Sequence, residues 1–375
     1  MDTLQYDILE YLRRWAESKP SEMPALQDWA ASIVESRHGS EKSSTNTEDG
    51  NRIHDWLRQE ELLPVIRHLA NEAKNRKLMH REDSSAALSQ QMRNGFLRFA
   101  RYEVLGRRVA KVLDECGVDW VMMKGYAISR RFYDQPFQRQ MRDIDILVAK
   151  PNFPIALEAL CDSGGQIRTK SRDTPDEKSI IFDQTEIDLH RMPMRDSRLR
   201  FDPVQQWLAR AQTHGPYRYL SDHDELLISL VHPAVTEYLT MRIIRMLDIL
   251  LQIARCRTPI DWPRLADDIR RLGLANAAYA TGIRVNHIFA TGHPPVVPVE
   301  FLKALGVDRW RKRYWHFWLD RRPDDLYKAS PWLAQAVFSL WLNDSPGDWF
   351  RVAASIVGVN RENFPPALLQ NSESF

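Results

Sequence analysis

Two aspartates one residue apart, Asp143 and Asp145, are followed at once by the apolar run Ile146-Leu147-Val148. In an extended strand successive side chains alternate faces, so both carboxylates point the same way with their Cα atoms roughly 6.5 Å apart. That spacing suits carboxylates closing on a pair of Mg²⁺ ions about 3.5–4 Å apart. A bare Asp-x-Asp at a strand entrance is usually a solvated pair, so the neighbouring residues must carry the distinction. Upstream, Lys124-Gly125 ends a second apolar run; downstream, Glu186, Asp188 and His190 fall on one strand face by period two.

The elements that would position these groups follow from hydrophobic periodicity. Leu4, Ile8, Leu9 and Leu12 make an amphipathic helix over residues 4–16, and a second helix covers 23–35. Residues 37–52, almost devoid of apolar side chains, read as a mobile loop. Helices are expected within 53–77 and over 85–116, the latter closed by Gly117 as a C-cap. The period then changes. Residues 118–123 read as a buried strand, 127–133 as a short helix ended by Asp134-Gln135-Pro136, and 143–148 as the acidic strand. Pro151 opens a helix over 153–161 that stops at Gly164-Gly165. Residues 179–182 and 186–190 form a hairpin around Asp183-Gln184-Thr185.

Beyond Arg191 only helices are expected: one capped by Ser221 with Asp224 in a capping box, then 241–254, 262–272, 275–289, 299–318 and 331–342. In the last but one, the basic and aromatic stretch RWRKRYWHFWLDRR at 309–322 reads as an amphipathic helix rather than a nucleic-acid surface. Trp310, Tyr314, Phe317 and Trp318 are placed on its buried face. The fold class is α/β (α+β): a small mixed-sheet core at 96–192, an N-terminal helical segment at 1–95 and a C-terminal helical domain at 193–375.

Composition narrows the setting. The 375 residues carry a net charge of +2, so no overall field advertises nucleic acid as a partner. Cys116, Cys161 and Cys256 show neither CxxC spacing nor a disulfide framework, and with no signal peptide they indicate the reducing cytoplasm. No apolar run reaches the length of a membrane span.

Taken together, Met123-Lys124-Gly125, residues 133–136, 139–148, Ile187-Asp188-Leu189-His190, 221–227 with His232, 245–248 and Asp261-Trp262 resemble the nucleotidyltransferases of the DNA polymerase β superfamily, in particular a poorly characterised bacterial group. The order and spacing agree from about residue 56 to 272. The resemblance implies that an acceptor hydroxyl attacks the α-phosphate of a nucleoside triphosphate such as ATP and displaces pyrophosphate. It implies a magnesium cofactor, two Mg²⁺ ions with Mn²⁺ as the substitute, held by Asp143, Asp145 and a third carboxylate at Asp188, which would also act as general base.

Lys124-Gly125 stands where the superfamily usually has Gly-Ser at the phosphates, and Arg142 replaces a small polar residue. Lys124, Gly125, Arg139 and Arg142 are therefore the nucleotide-binding candidates, with a salt bridge to an acidic neighbour the preferred reading of Arg139. Glu186 and His190 would support the metal ligands. His232, Arg245 and Asp248 read as a buried ion pair fixing two helices. The acceptor is read as a small molecule, a biosynthetic peptide or a protein. The alternatives are a toxin-like tRNA nucleotidyltransferase and an inert nucleotide-binding regulatory module. Nucleic acid is not the favoured partner, and no membrane is expected.

Overall fold

The computed structural model describes residues 3–17, 55–57, 59, 62, 65–66, 86–168, 175–194, 198–237, 242–290, 293–319, 330, 337–339 and 341–356. The loop at 37–52, the helix at 23–35, most of 53–77 and of 331–342, and the polar tail expected from the sequence lie outside them.

The order of elements is α1 (Thr3–Glu17), α2 (Ala86–Glu115), β1 (Trp120–Met123), α3 (Lys124–Phe132), β2 (Asp143–Val148), α4 (Phe153–Asp162), β3 (Gln166–Arg168), β4 (Glu177–Phe182) and β5 (Thr185–His190). It continues with α5 (Val204–Ala209), β6 (Gln212–His214), β7 (Tyr217–Tyr219), α6 (Asp222–Glu237), α7 (Ile243–Arg255), α8 (Trp262–Leu272), α9 (Ala275–Phe289), α10 (Val299–Ala304), α11 (Arg309–Leu319) and α12 (Pro346–Ile356). The α/β class expected from the sequence is the one observed: a mixed sheet of seven strands ordered β3-β4-β5-β2-β1-β7-β6, flanked by helices.

Alternation along the strands builds the layers. Trp120 and Met122 of β1, Ile144, Ile146 and Val148 of β2, and Ile187 and Leu189 of β5 point to one face, where they bury against Val109 and Leu113 of α2 and Ala156 and Leu160 of α4. Val121 and Met123 of β1 and Leu147 of β2 point to the other, into a larger core that includes Leu226, Leu227 and Ile228 of α6 and Ile244 and Leu247 of α7. Asp143, Asp145, Asp188 and His190 share that second face by period two.

Register then aligns the polar row. Antiparallel β1 and β2 pair Met123 with Asp145, parallel β2 and β5 pair Asp145 with Asp188, and antiparallel β5 and β4 pair Asp188 with Ser179. A one-residue slip would send every one of these carboxylates into the apolar layer under α2, so the alternation fixes the pairing.

Many expected boundaries hold within a residue or two. Gly117, at φ 66°, follows α2 as the C-cap requires, and Asp183, at φ 52°, turns the β4–β5 hairpin. Ser221 caps α6: the Asp224 N–H donates to Ser221 Oγ at 3.1 Å. Three expectations change. Beyond residue 191 the chain is not purely helical, because β6 and β7 form a hairpin whose β7 pairs in parallel with β1. These strands are three residues each, too short for period two to register against the background. The short strand β3 was missed for the same reason.

The third change is at 299–318, which is two helices, α10 and α11, split at Gly306 with φ 69°. The aromatic face of α11 is also rotated. Trp315 is the fully buried residue, Tyr314 and Trp318 pack beside it, and Trp310 and Phe317 are 73% and 50% exposed. Amphipathic helix remains the correct description, but Trp315 supplies its anchor. No helix among the described residues is long and apolar enough to cross a membrane.

Candidate active site

Asp145 and Asp188 reach the second face of the sheet at neighbouring register positions, and Leu147 and His190 follow at the next pair along. His190 Nε2 lies 2.9 Å from Asp145 Oδ1. One ligand atom from each of Asp145, Asp188 and His190 falls within 4.8 Å of the others, and all three residues are buried. Among the described residues this is the group that could hold a metal ion. Asp143 sits one strand repeat away at the first residue of β2, opposite Glu186, and is half-buried.

Lys124 enters from the end of β1. Its backbone is in the left-handed region at φ 54°, which costs a side-chain-bearing residue roughly 1–2 kcal/mol. Two contacts offset that strain. The Lys124 N–H donates to Glu225 Oε1 at 2.8 Å, and its ammonium donates to Asp145 Oδ1 at 3.0 Å. Glu225 is fully buried at the start of α6. Helix α3 therefore begins at Lys124 rather than at the expected residue 127, with the lysine aimed back over the acidic row.

The electrostatics follow from crowding negative charge in a poorly solvated place. Burial, then the charges of Asp145 and Asp188, push the Asp143 carboxyl up to about 7. Burial likewise raises Asp188, against the opposing hydrogen bond from Ser179 Oγ at 2.5 Å. Burial also acts to raise Asp145, but the Lys124 ammonium and His190 outweigh it and hold that carboxyl below the usual carboxylate range. Glu225 is raised to about 7 by burial, partly opposed by Arg131. His232, on the next turns of α6, is pushed well below its ordinary value by burial and by the cations Lys124 and Arg245.

The sequence-predicted residues thus divide. Asp143, Asp145, Asp188, His190 and Lys124 come together. Glu186 is near, opposite Asp143, and pairs with Arg168 at 3.0 Å. Arg142 is exposed next to Asp143. Arg139 forms the salt bridge preferred for it: its Nε and Nη2 donate to Asp248 at 2.8 and 2.7 Å, both groups being almost wholly buried, and the Tyr133 hydroxyl donates to the same carboxylate at 2.9 Å. Asp248 therefore pairs with Arg139 in the loop before β2, and the ion pair joining α6 to α7 runs from Arg245 to Glu237 at 3.2 Å, with neither His232 nor Asp248 in it. Gly125 makes that possible, because a Cβ there would lie 2.6 Å from Arg139 Nη1.

Sequence reasoning passed over Glu225 and Ser179. A signal for Glu225 was available: a carboxylate immediately before Leu226-Leu227-Ile228 on a buried helix needs a partner. Ser179 carried none, since only register places it beside Asp188.

The donor set fits a divalent cation. Carboxylate oxygens are hard ligands suited to Mg²⁺ or Mn²⁺, and the surplus of buried negative charge is what a cation would neutralise. Comparison with known proteins bears on the chemistry. The family model described as "Uncharacterised nucleotidyltransferase" matches residues 46–290. No curated protein sequence matches the chain. Among solved structures, a Megavirus polyadenylate synthase aligns with a TM-score of 0.29 and 10% identity over 56% of this chain and 50% of that one, so the chain spans about half the length of that protein.

Proposed function

The chain belongs to the uncharacterised nucleotidyltransferase family and is a nucleotidyltransferase; from that premise we propose that it transfers a nucleoside monophosphate from a nucleoside triphosphate to an acceptor hydroxyl at the Asp143–Asp145–Asp188 row. The observation that carries the reading is the convergence of Asp145, Asp188 and His190 within 4.8 Å, on the sheet face that Lys124 also reaches.

Asp145 and Asp188 would hold a divalent metal ion, Mg²⁺ by donor type, with Asp143 beside them and His190 orienting Asp145. When bound, that ion supplies charge neutralisation to the triphosphate. The remaining work is done by the protein's own groups. Lys124, which reaches the acidic row from the end of β1, offers its ammonium to a phosphate oxygen. Asp188 takes the proton of the acceptor hydroxyl. The hydroxyl oxygen forms a bond to the α-phosphorus while the bond from that phosphorus to the bridging oxygen breaks, and pyrophosphate leaves with the electron pair. Positioning and electrostatics supply the rate, because little covalent work falls to the protein in phosphoryl chemistry.

In this reading residues 96–192 form the catalytic unit, and the helices on either side shape the acceptor pocket for a small molecule, peptide or protein. The test is to add each α-labelled triphosphate with Mg²⁺ to cell extract containing wild type or Asp145→Ala, and to identify labelled species by mass spectrometry. An acceptor labelled only by the wild type supports the reading. No labelling with any triphosphate, or equal labelling by both proteins, overturns it.

A further inference from the structure

A cavity lies away from the acidic row. Helix α9 buries Ala277, Ala278 and Val285 in the core and packs on α6 and α7. Its other side faces α10 and α11, and there the three helices leave a cavity of about 380 Å³. The break at Gly306 is what allows α10 and α11 to lean on α9 separately, and Gly282 lets α10 come close, since a Cβ there would lie 2.8 Å from Leu302 Cδ2.

The wall is chemically one-sided. Ile283 and Leu302 give an apolar floor, Tyr279 an aromatic side, and Lys303, Lys312 and His316 the polar rim. Among the described residues no carboxylate lines it. The Lys312 ammonium sits 5.8 Å from the centroid of the Tyr279 ring, and the Tyr279 hydroxyl lies 3.3 Å from His316 Nε2. Among the described residues neither Lys303 nor Lys312 is paired with a carboxylate. Elsewhere in this protein basic side chains are extensively paired, as Arg139, Arg200, Arg210 and Arg255 are. Two unpaired ammonium groups beside an aromatic ring and an apolar floor are the complement of an anion carried on a flat aromatic body.

We propose that the α9–α10–α11 cavity binds a phosphorylated aromatic ligand of mononucleotide size, with its ring along Tyr279 and Leu302 and its phosphate between Lys303 and Lys312. Its volume sits at the lower end of small-ligand pockets, which run from about 300 to 1,000 Å³. The site needs no metal and lies on the opposite side of α9 from the helices that bear Glu225 and Arg245. It stands or falls independently of the transfer reaction.

The test uses the full chain in EDTA, so that no divalent ion draws nucleotide to the acidic row. Adenosine monophosphate is titrated calorimetrically into wild type and into Lys303→Ala/Lys312→Ala, and the wild-type complex is mapped by hydrogen exchange. Binding that weakens about tenfold or more in the double variant, with protection confined to α9, α10 and α11, is expected from the loss of two charge-assisted hydrogen bonds. Both lysines are on the rim, so the double variant keeps its core. Absence of binding at millimolar nucleotide, equal affinity of the two proteins, or protection on β1 and β2 instead would each overturn the proposal. Failure here leaves labelled-acceptor transfer untouched, and failure of transfer leaves this binding untouched.

Discussion

Two buried charge clusters, one around Asp248 and one around Asp145, are built on opposite plans. Around Asp248, one carboxylate meets one guanidinium through a two-pronged contact and is completed by the Tyr133 hydroxyl. Around Asp145, the carboxylates of Asp143, Asp145, Asp188 and Glu225 gather with the ammonium of Lys124, and Asp143 and Glu225 are both pushed to about 7. The first cluster is balanced and ties α7 to the core. The second carries more carboxylates than cations, an excess that protons or a ligand of opposite charge relieves. Buried charge is not in itself a mark of function; uncompensated charge on a reachable surface is.

Substitution should separate the two plans. The largest effect belongs to the acidic row: Asp145→Asn or Asp188→Asn should lower labelled-nucleotide transfer by about a thousandfold or more, with thermal stability unchanged or raised in Asp188→Asn, whose carboxyl is raised by burial and by Asp145. A large fall in the melting temperature of Asp188→Asn would erase the distinction. Next comes Asp248→Ala, which strands the Arg139 guanidinium in the interior and should cost about 3–5 kcal/mol in urea denaturation. A cost under about 1 kcal/mol would mean the pair is worth no more than a surface bridge.

Glu225 gives a pH signature. Its carboxyl titrates near 7 when folded and near 4.5 as its ordinary value, so the folded state binds the proton more tightly. Stability is then fully present below about pH 4.5 and declines as pH rises through 7, by up to about 3 kcal/mol from this group. Glu225→Gln keeps an oxygen for the Lys124 N–H and should flatten that decline; parallel pH–stability curves for the two proteins would refute the assignment.

Lys124→Met should reduce transfer by about 10- to 100-fold, chiefly through weaker triphosphate binding. An unchanged KM would place the lysine outside the phosphate path. The smallest effect is on metal affinity. Because a proton on Asp143 competes with a cation, apparent Mg²⁺ affinity in the transfer assay should fall as pH drops below about 7, and Asp143→Asn should remove most of that dependence while binding more weakly throughout.

Much of the site was legible before any coordinates. Asp143 and Asp145 announce themselves by spacing and by the apolar run behind them; the family resemblance picks out Asp188, and alternation puts Glu186 and His190 on its strand face. Helices α8 and α9 could be bounded to the residue, because α8 carries its own stop signal in Gly273 at φ 78° and the apolar period restarts directly after it. What escaped was non-local. Strands β6 and β7 are strands because β1 has an open edge for β7 to join, not because three residues prefer to be extended. The aromatic face of α11 is chosen by what α9 offers to Trp315, whereas helical spacing alone puts Trp310 with Tyr314, Phe317 and Trp318 on the buried face.

Residue types and periods therefore determined the chemistry available here: a carboxylate row on one face of a mixed sheet, with a lysine and a glycine at its head. Tertiary structure decided how those groups share their charges. Pairing β2 with β5 put Asp188 beside Asp145, and docking α6 against β1 turned Glu225 onto the Lys124 backbone. Threading Arg139 past Gly125 assigned it to Asp248. Partners 101 and 109 residues apart in the chain meet in the last two contacts. Local pattern says which face a side chain takes; only the assembled core says which charge it meets there.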